Sequence, residues 1–155
     1  MPVSTRATQA LDLLSIPYRI FEHIHLPGSL EEAARERGQS PGQVIRSILF
    51  RYQKEKFFLV LSAGPGQISW RKLRAHMEAS RISMATEAEV LTITGYAVGT
   101  VSPLGVAQSI PILADASIFT QEEVSLGSGL RGVAIIMKSS DLKRALGKIE
   151  VGQFC

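Results

Sequence analysis

The chain has 155 residues, 45% hydrophobic and 20% charged, a balance that suits one compact globular domain, and residues 1–155 are read as that single domain. Seventeen Lys and Arg against 14 Asp and Glu leave a net charge of +3, a surplus too small to announce a nucleic-acid binder by itself, though it does not oppose a polyanion. The lone Cys155 excludes an internal disulfide and points to a reducing, cytoplasmic setting; no apolar run exceeds five residues, which excludes a membrane-spanning helix.

In chain order, Ser4 caps a first helix with Ala7, Ala10, Leu11 and Leu14 at helical spacing, and Pro17 stops it. Tyr18, Ile20 and Phe21 suit a strand running towards His25, broken by Pro27-Gly28. Ser29-Leu30-Glu31-Glu32 is a capping box for a short helix ending near Gly38. A turn at residues 40–43 leads into a strand over residues 44–52. After a hairpin loop at residues 53–55, the nearly all-apolar residues 56–62 read as a central strand. Ser69 caps a helix with Trp70, Leu73 and Met77; residues 81–84 form a short strand; Thr86-Glu87-Ala88-Glu89 opens a helix that ends by Gly95. Beyond a glycine-punctuated stretch, residues 110–114, 123–126 and 133–137 read as strands, and Ser140 caps a last helix through Leu146. Short helices are scattered among strands without regular alternation, so the expected class is α+β, a mixed sheet with helices around it.

Few residues carry recognisable chemistry. His23 and His25 alternate on a strand, a spacing two metal ligands could share, but no acidic or cysteine partner follows at metal spacing; His76 sits at a helix end, where it complements the dipole. There is no Gly-x-Ser-x-Gly turn and no Walker loop, and Gly127-Ser128-Gly129 is shorter than the former. Two glycine-rich loops remain, residues 95–105 and 125–132. Each reads either as a tight turn or as a cradle whose backbone N–H groups hold an ester carbonyl and then its oxyanion. Arg46 interrupts the apolar run 44–50, where a charge is costly without a partner, and so marks a ligand contact, a buried ion pair or an exposed strand edge.

The order and spacing of several segments resemble the YbaK and prolyl-tRNA-synthetase-associated family of aminoacyl-tRNA deacylases. They are Ile16-Pro17-Tyr18 and the strand reaching His23, Ala33-Ala34, Gln43-Val44-Ile45-Arg46-Ser47-Ile48-Leu49, the run Thr94 through Gly105, Leu113-Ala114-Asp115, the 127–132 loop and Asp141-Leu142. The resemblance implies a barrel-like mixed sheet flanked by helices, with a pocket between the glycine loops and the strand bearing Arg46. It implies hydrolysis of mischarged aminoacyl-tRNA in trans, with no cofactor and no metal. The partners implied are the acceptor end of the tRNA and an aminoacyl-tRNA synthetase, and no membrane. The residues so assigned to catalysis are Arg46, Gly99, Ser102, Gly105, Gly127, Ser128 and Gly129. Tyr18, His23, Ser47, Val98, Thr100, Val101 and Pro103 are assigned to substrate binding. One departure stands out: the family's lysine falls here on Arg46, which stays protonated and therefore serves neither as general base nor as nucleophile. A module that binds an aminoacyl-tRNA end without cleaving it is the alternative that this arginine raises.

Overall fold

The structure, a computed structural model, describes residues 3–155. Five helices are α1 (Arg6–Leu13), α2 (Leu30–Glu36), α3 (Trp70–Met77), α4 (Glu87–Thr94) and α5 (Ser139–Leu146). Eight strands are β1 (Arg19–Glu22), β2 (Ile45–Tyr52), β3 (Lys56–Ala63), β4 (Ile82–Met84), β5 (Ile112–Asp115), β6 (Glu123–Gly127), β7 (Val133–Lys138) and β8 (Glu150–Gly152). The α+β class follows, with one correction: among the described residues there is no closed barrel. The strands form a five-stranded sheet in the order β4-β2-β3-β5-β8 and a three-stranded antiparallel sheet in the order β1-β7-β6.

β3 is the middle strand of the larger sheet, and its apolar run is buried on both faces, as its sequence requires. Alternation divides its side chains between two cores. Leu59 and Leu61 join Ile45 and Leu49 of β2 in the core shared with the smaller sheet and α1, α4 and α5. Phe58 and Val60 join Phe50 in a second core, closed by Leu73 of α3 and by Phe154. The hairpin register pairs Arg46 with Ser62 and Phe50 with Phe58, whose rings stack 5.4 Å apart.

Several boundaries differ from the sequence reading. Thr5 rather than Ser4 caps α1, because its hydroxyl accepts from the Thr8 amide while Thr8 returns a hydrogen bond. β1 stops at Glu22, short of His25. Lys138 rather than Ser140 is the N-cap position of α5, with no side-chain cap; Ser140 lies inside the helix, and its neighbour Ser139 donates its hydroxyl to Gln121 O. A 3-10 turn at Ala116–Thr120 and β8 at Glu150–Gly152 have no counterpart in the sequence reading.

Candidate active site

Beyond their shared core, the two sheets pair through the backbone at one isolated bridge among the described residues, Val44 to Ser125. From there to Leu49, beside the point where β4 begins to pair, the strand pairing of β2 is with β3 only. The Leu49 carbonyl accepts from Ala85 N at 3.0 Å on that outer side, so by strand alternation the backbone of Ser47 faces the same way. Into this gap opens a cleft of about 680 Å³. Core residues Ile45, Leu49, Val90 and Leu126 line it, while Leu26, Met84, Val98 and Leu130 line it from exposed positions. Its depth is therefore apolar, and polar groups enter from the loops and the strand edge.

The two glycine loops meet beside the cleft. α4 ends at Gly95, whose φ of +83° would strain any other residue. Tyr96 then turns inward and its hydroxyl donates to the Leu104 carbonyl, bracing the 95–105 loop; burial pushes the phenol up to about 12. A Cβ on Gly127 would collide with the Val101 carbonyl oxygen, so only glycine admits the first loop this closely. Gly129, at φ +97°, donates its amide to Thr100 O at 3.0 Å and lies against the Tyr96 ring. Arg131 reaches back from the second loop to the Val98 carbonyl at 3.3 Å. Thr100 N is used internally, on Ala97 O, but the amides of Gly99 and Val101 donate to no protein acceptor among the described residues.

Of the residues singled out in the sequence, eight line the cleft: His23, Arg46, Ser47, Val98, Gly99, Thr100, Val101 and Gly127. The other six do not line it. Ser102 is buried and accepts from Leu104 N, and Ser128 donates to Val133 O at 2.7 Å while accepting from Leu130 N. Pro103 is buried, Gly105 at φ +67° packs against the Arg6 backbone, Gly129 lies under Tyr96, and the Tyr18 hydroxyl donates to Asp12 at 2.9 Å. The Ser47 hydroxyl is buried and has no partner among the described residues.

Arg46 borders the cleft through β2, but two of its three guanidinium nitrogens are turned elsewhere. Nε donates to Gly64 O at 3.0 Å, and Nη2 donates to Ser62 Oγ and Gly66 O. None of these acceptors lines the cleft.

A second arginine, which the sequence reading did not single out, is held there instead. Arg37, just past α2, donates Nε to His23 Nε2 at 3.0 Å and Nη1 to Ser125 Oγ at 2.9 Å. Arginine only donates, so His23 Nε2 accepts; the ring proton is therefore on Nδ1, 2.7 Å from Glu36 Oε1. The bond from His23 holds the Glu36 carboxyl below its ordinary value. An arginine after a short helix reads in sequence as a dipole partner, and nothing local says that it folds inward. Arg131 was legible, being a cation within the second glycine loop. Among the described residues, no three His, Cys, Asp or Glu side chains converge as metal ligands, and no helix is long and apolar enough to cross a membrane.

This geometry is built by residues that match known proteins. Over 104 residues the chain is 32% identical to a proline–tRNA ligase of Geobacillus sp. (strain WCH70), covering 66% of the chain but 18% of the ligase. It thus spans less than a fifth of such ligases. It is 24% identical over 131 residues to the multifunctional Ser/Thr-tRNA deacylase ProXp-y of Escherichia coli (strain K12), covering 82% of the chain and 78% of that protein. A crystal structure described as a candidate trans-editing enzyme for prolyl tRNA synthetase superposes with a TM-score of 0.85 at 25% identity, over 99% of this chain and 98% of that one. The model of the aminoacyl-tRNA editing domain matches residues 28–145, a stretch that holds α2, the edge of β2 and both glycine loops. With three quarters of its length inside that match, the chain belongs to the family of aminoacyl-tRNA editing domains.

Proposed function

We propose that this protein hydrolyses the ester bond of a mischarged aminoacyl-tRNA, acting in trans on the acceptor end of the tRNA. The observation that carries the reading is the cleft itself. It pairs an apolar interior, suited to an amino-acid side chain, with two unengaged amides on a loop that Gly127 allows to approach closely. Gly99 N–H and Val101 N–H receive the ester carbonyl and then the oxyanion of the tetrahedral intermediate; each such donor is typically worth about 10²-fold in rate. The Ser47 hydroxyl and the open backbone edge beside it hold the substrate's polar groups.

No side-chain nucleophile is invoked. An aminoacyl ester is already reactive, and the neighbouring ribose hydroxyl of the substrate orients the attacking water. Arg46 has a positioning role: its fork ties β2 to the 64–66 loop and keeps the strand edge in place. An aminoacyl-tRNA synthetase is the partner that releases the substrate.

The test is a deacylation panel of mischarged tRNAs against the wild-type protein and Gly99→Ala, whose Cβ would lie 3.2 Å from Arg131 Nη1 at a φ of +90°. The expected result is release of one or a few amino acids, reduced about tenfold or more in the variant. Tight binding of a nonhydrolysable aminoacyl-adenosine without release of any amino acid would favour the non-catalytic binding module, which Arg46 in place of the family lysine suggests.

A further inference from the structure

We propose that Arg37 is the anion receptor of the cleft and takes the phosphate that precedes the terminal nucleoside of the substrate. The inference rests on the reading of the cleft as an aminoacyl-nucleotide site and adds the residue that recognises the nucleotide's charge.

Arg37 is half-buried, and burial pulls its guanidinium below the ordinary arginine range. A desolvated cation calls for a carboxylate, yet among the described residues none lies within ion-pair distance of Arg37; the protein's ion pairs involve other cations. Its two observed partners are neutral, the imidazole of His23 and the hydroxyl of Ser125. Glu36 contributes charge only at one remove, through His23.

The partners that it does have fix the guanidinium's plane. Nε and Nη1 are bound on one side, His23 is itself locked by Glu36, and Ser125 is fully buried on β6. Nη2 donates to nothing among the described residues, and Arg37 lines the cleft. A rigid fork with an unused pair of N–H donors and an uncompensated charge matches a phosphate oxygen better than a neutral carbonyl. Arg131 also lines the cleft, but it is exposed and solvated, and its Nη2 is given to Val98. Arg46 commits Nε and Nη2 to the 62–66 segment, whose acceptors lie outside the cleft, so its guanidinium is held away from the cleft even though Nη1 has no acceptor among the described residues.

The experiment compares two nonhydrolysable ligands by calorimetric titration: 3′-alanylamino-3′-deoxyadenosine with and without a 5′-phosphate. The wild-type protein is expected to bind the phosphorylated compound roughly 10–100-fold more tightly, the range of a charge-assisted hydrogen-bond pair. Arg37→Gln is expected to abolish that advantage while leaving the affinity for the phosphate-free compound within about twofold. Should Arg37→Gln fail to fold, Arg37→Lys carries the test. A single ammonium cannot span His23, Ser125 and a ligand together, so the advantage should fall several-fold.

Equal affinity of the wild type for both compounds, or no binding of either, would overturn the proposal. So would an equal loss on both compounds in Arg37→Gln, which would assign Arg37 to the acyl group instead. The deacylase reading fails separately, if wild-type protein releases no amino acid from any tRNA while still preferring the phosphorylated ligand.

Discussion

At the scale of single residues, Gly127 and Ser47 behave in opposite ways. Gly127 has an ordinary backbone conformation, so its requirement comes from space alone: a methyl group there meets the Val101 carbonyl. Gly127→Ala should push the 98–101 loop outward, costing about 1–3 kcal/mol of stability and about tenfold or more in deacylation. Thermal unfolding and single-turnover rates read the two effects separately. Ser47 carries a buried hydroxyl with no partner among the described residues, a small standing cost to the free protein. Ser47→Ala should leave stability unchanged or raise it by about 1 kcal/mol, while raising KM for aminoacyl-tRNA several-fold. An unchanged KM would remove Ser47 from the binding surface. Neither property was readable from residue type. Glycine in a loop announces freedom of φ, whereas here the deciding contact is 26 residues away in the chain.

Among elements, β8 shows how a short strand depends on its surroundings. Three residues with an exposed burial pattern have no strand signal of their own, which is why residues 150–152 passed unnoticed in the sequence. They pair in parallel with β5, and the chain just beyond is clamped by Asp115. Its Oδ1 accepts from Phe154 N at 2.8 Å, and its Oδ2 accepts from the amide and hydroxyl of Ser117. Burial pushes this carboxyl up, but the hydrogen bonds from Ser117 and Phe154 outweigh it and leave the group below its ordinary value. A lowered folded pKa means that ionised Asp115 stabilises the fold at neutral pH. That contribution is intact above the unfolded value of about 3.9 and disappears as pH falls through the lower folded value. Asp115→Asn should therefore cost about 1–3 kcal/mol at pH 7, and wild type and variant should converge in strong acid, as denaturant melts across pH would record. The cap at Ser29 and the capping box at Thr86, in contrast, were legible, because their partners lie three residues away; at Ser29 the box is only half made, since Glu32 accepts from Gly28 N instead of Ser29 N.

For the molecule as a whole, the cleft depends on two sheets touching at Val44 and parting afterwards, with the glycine loops locked together across the gap. Tyr96 is the lock: it is buried, donates to Leu104 and supports Gly129. Its raised phenol pKa makes a global prediction. Below about pH 10 the hydroxyl is protonated in both folded and unfolded chains. As pH rises from there towards about 12 the unfolded chain ionises first, so stability should be lost across that window, and Tyr96→Phe should lose less of it. The variant should also start about 1 kcal/mol less stable, because the Leu104 carbonyl loses its donor.

The sequence by itself determined what local pattern and spacing encode: the starts of α2, α3 and α4, the all-apolar central strand β3, the α+β class, the two glycine loops and the family. It did so because caps, alternation and motif order are short-range properties of the chain. Only the tertiary structure decided that the sheet splits in two instead of closing, and that six of the fourteen candidate residues stay out of the cleft lining. It also turned the fork of Arg46 onto the 62–66 segment and brought Arg37 inward beside His23 and Ser125. Where a long side chain directs its charge depends on acceptors that other segments bring within about 3 Å, and no pattern along one strand specifies which of them will be there.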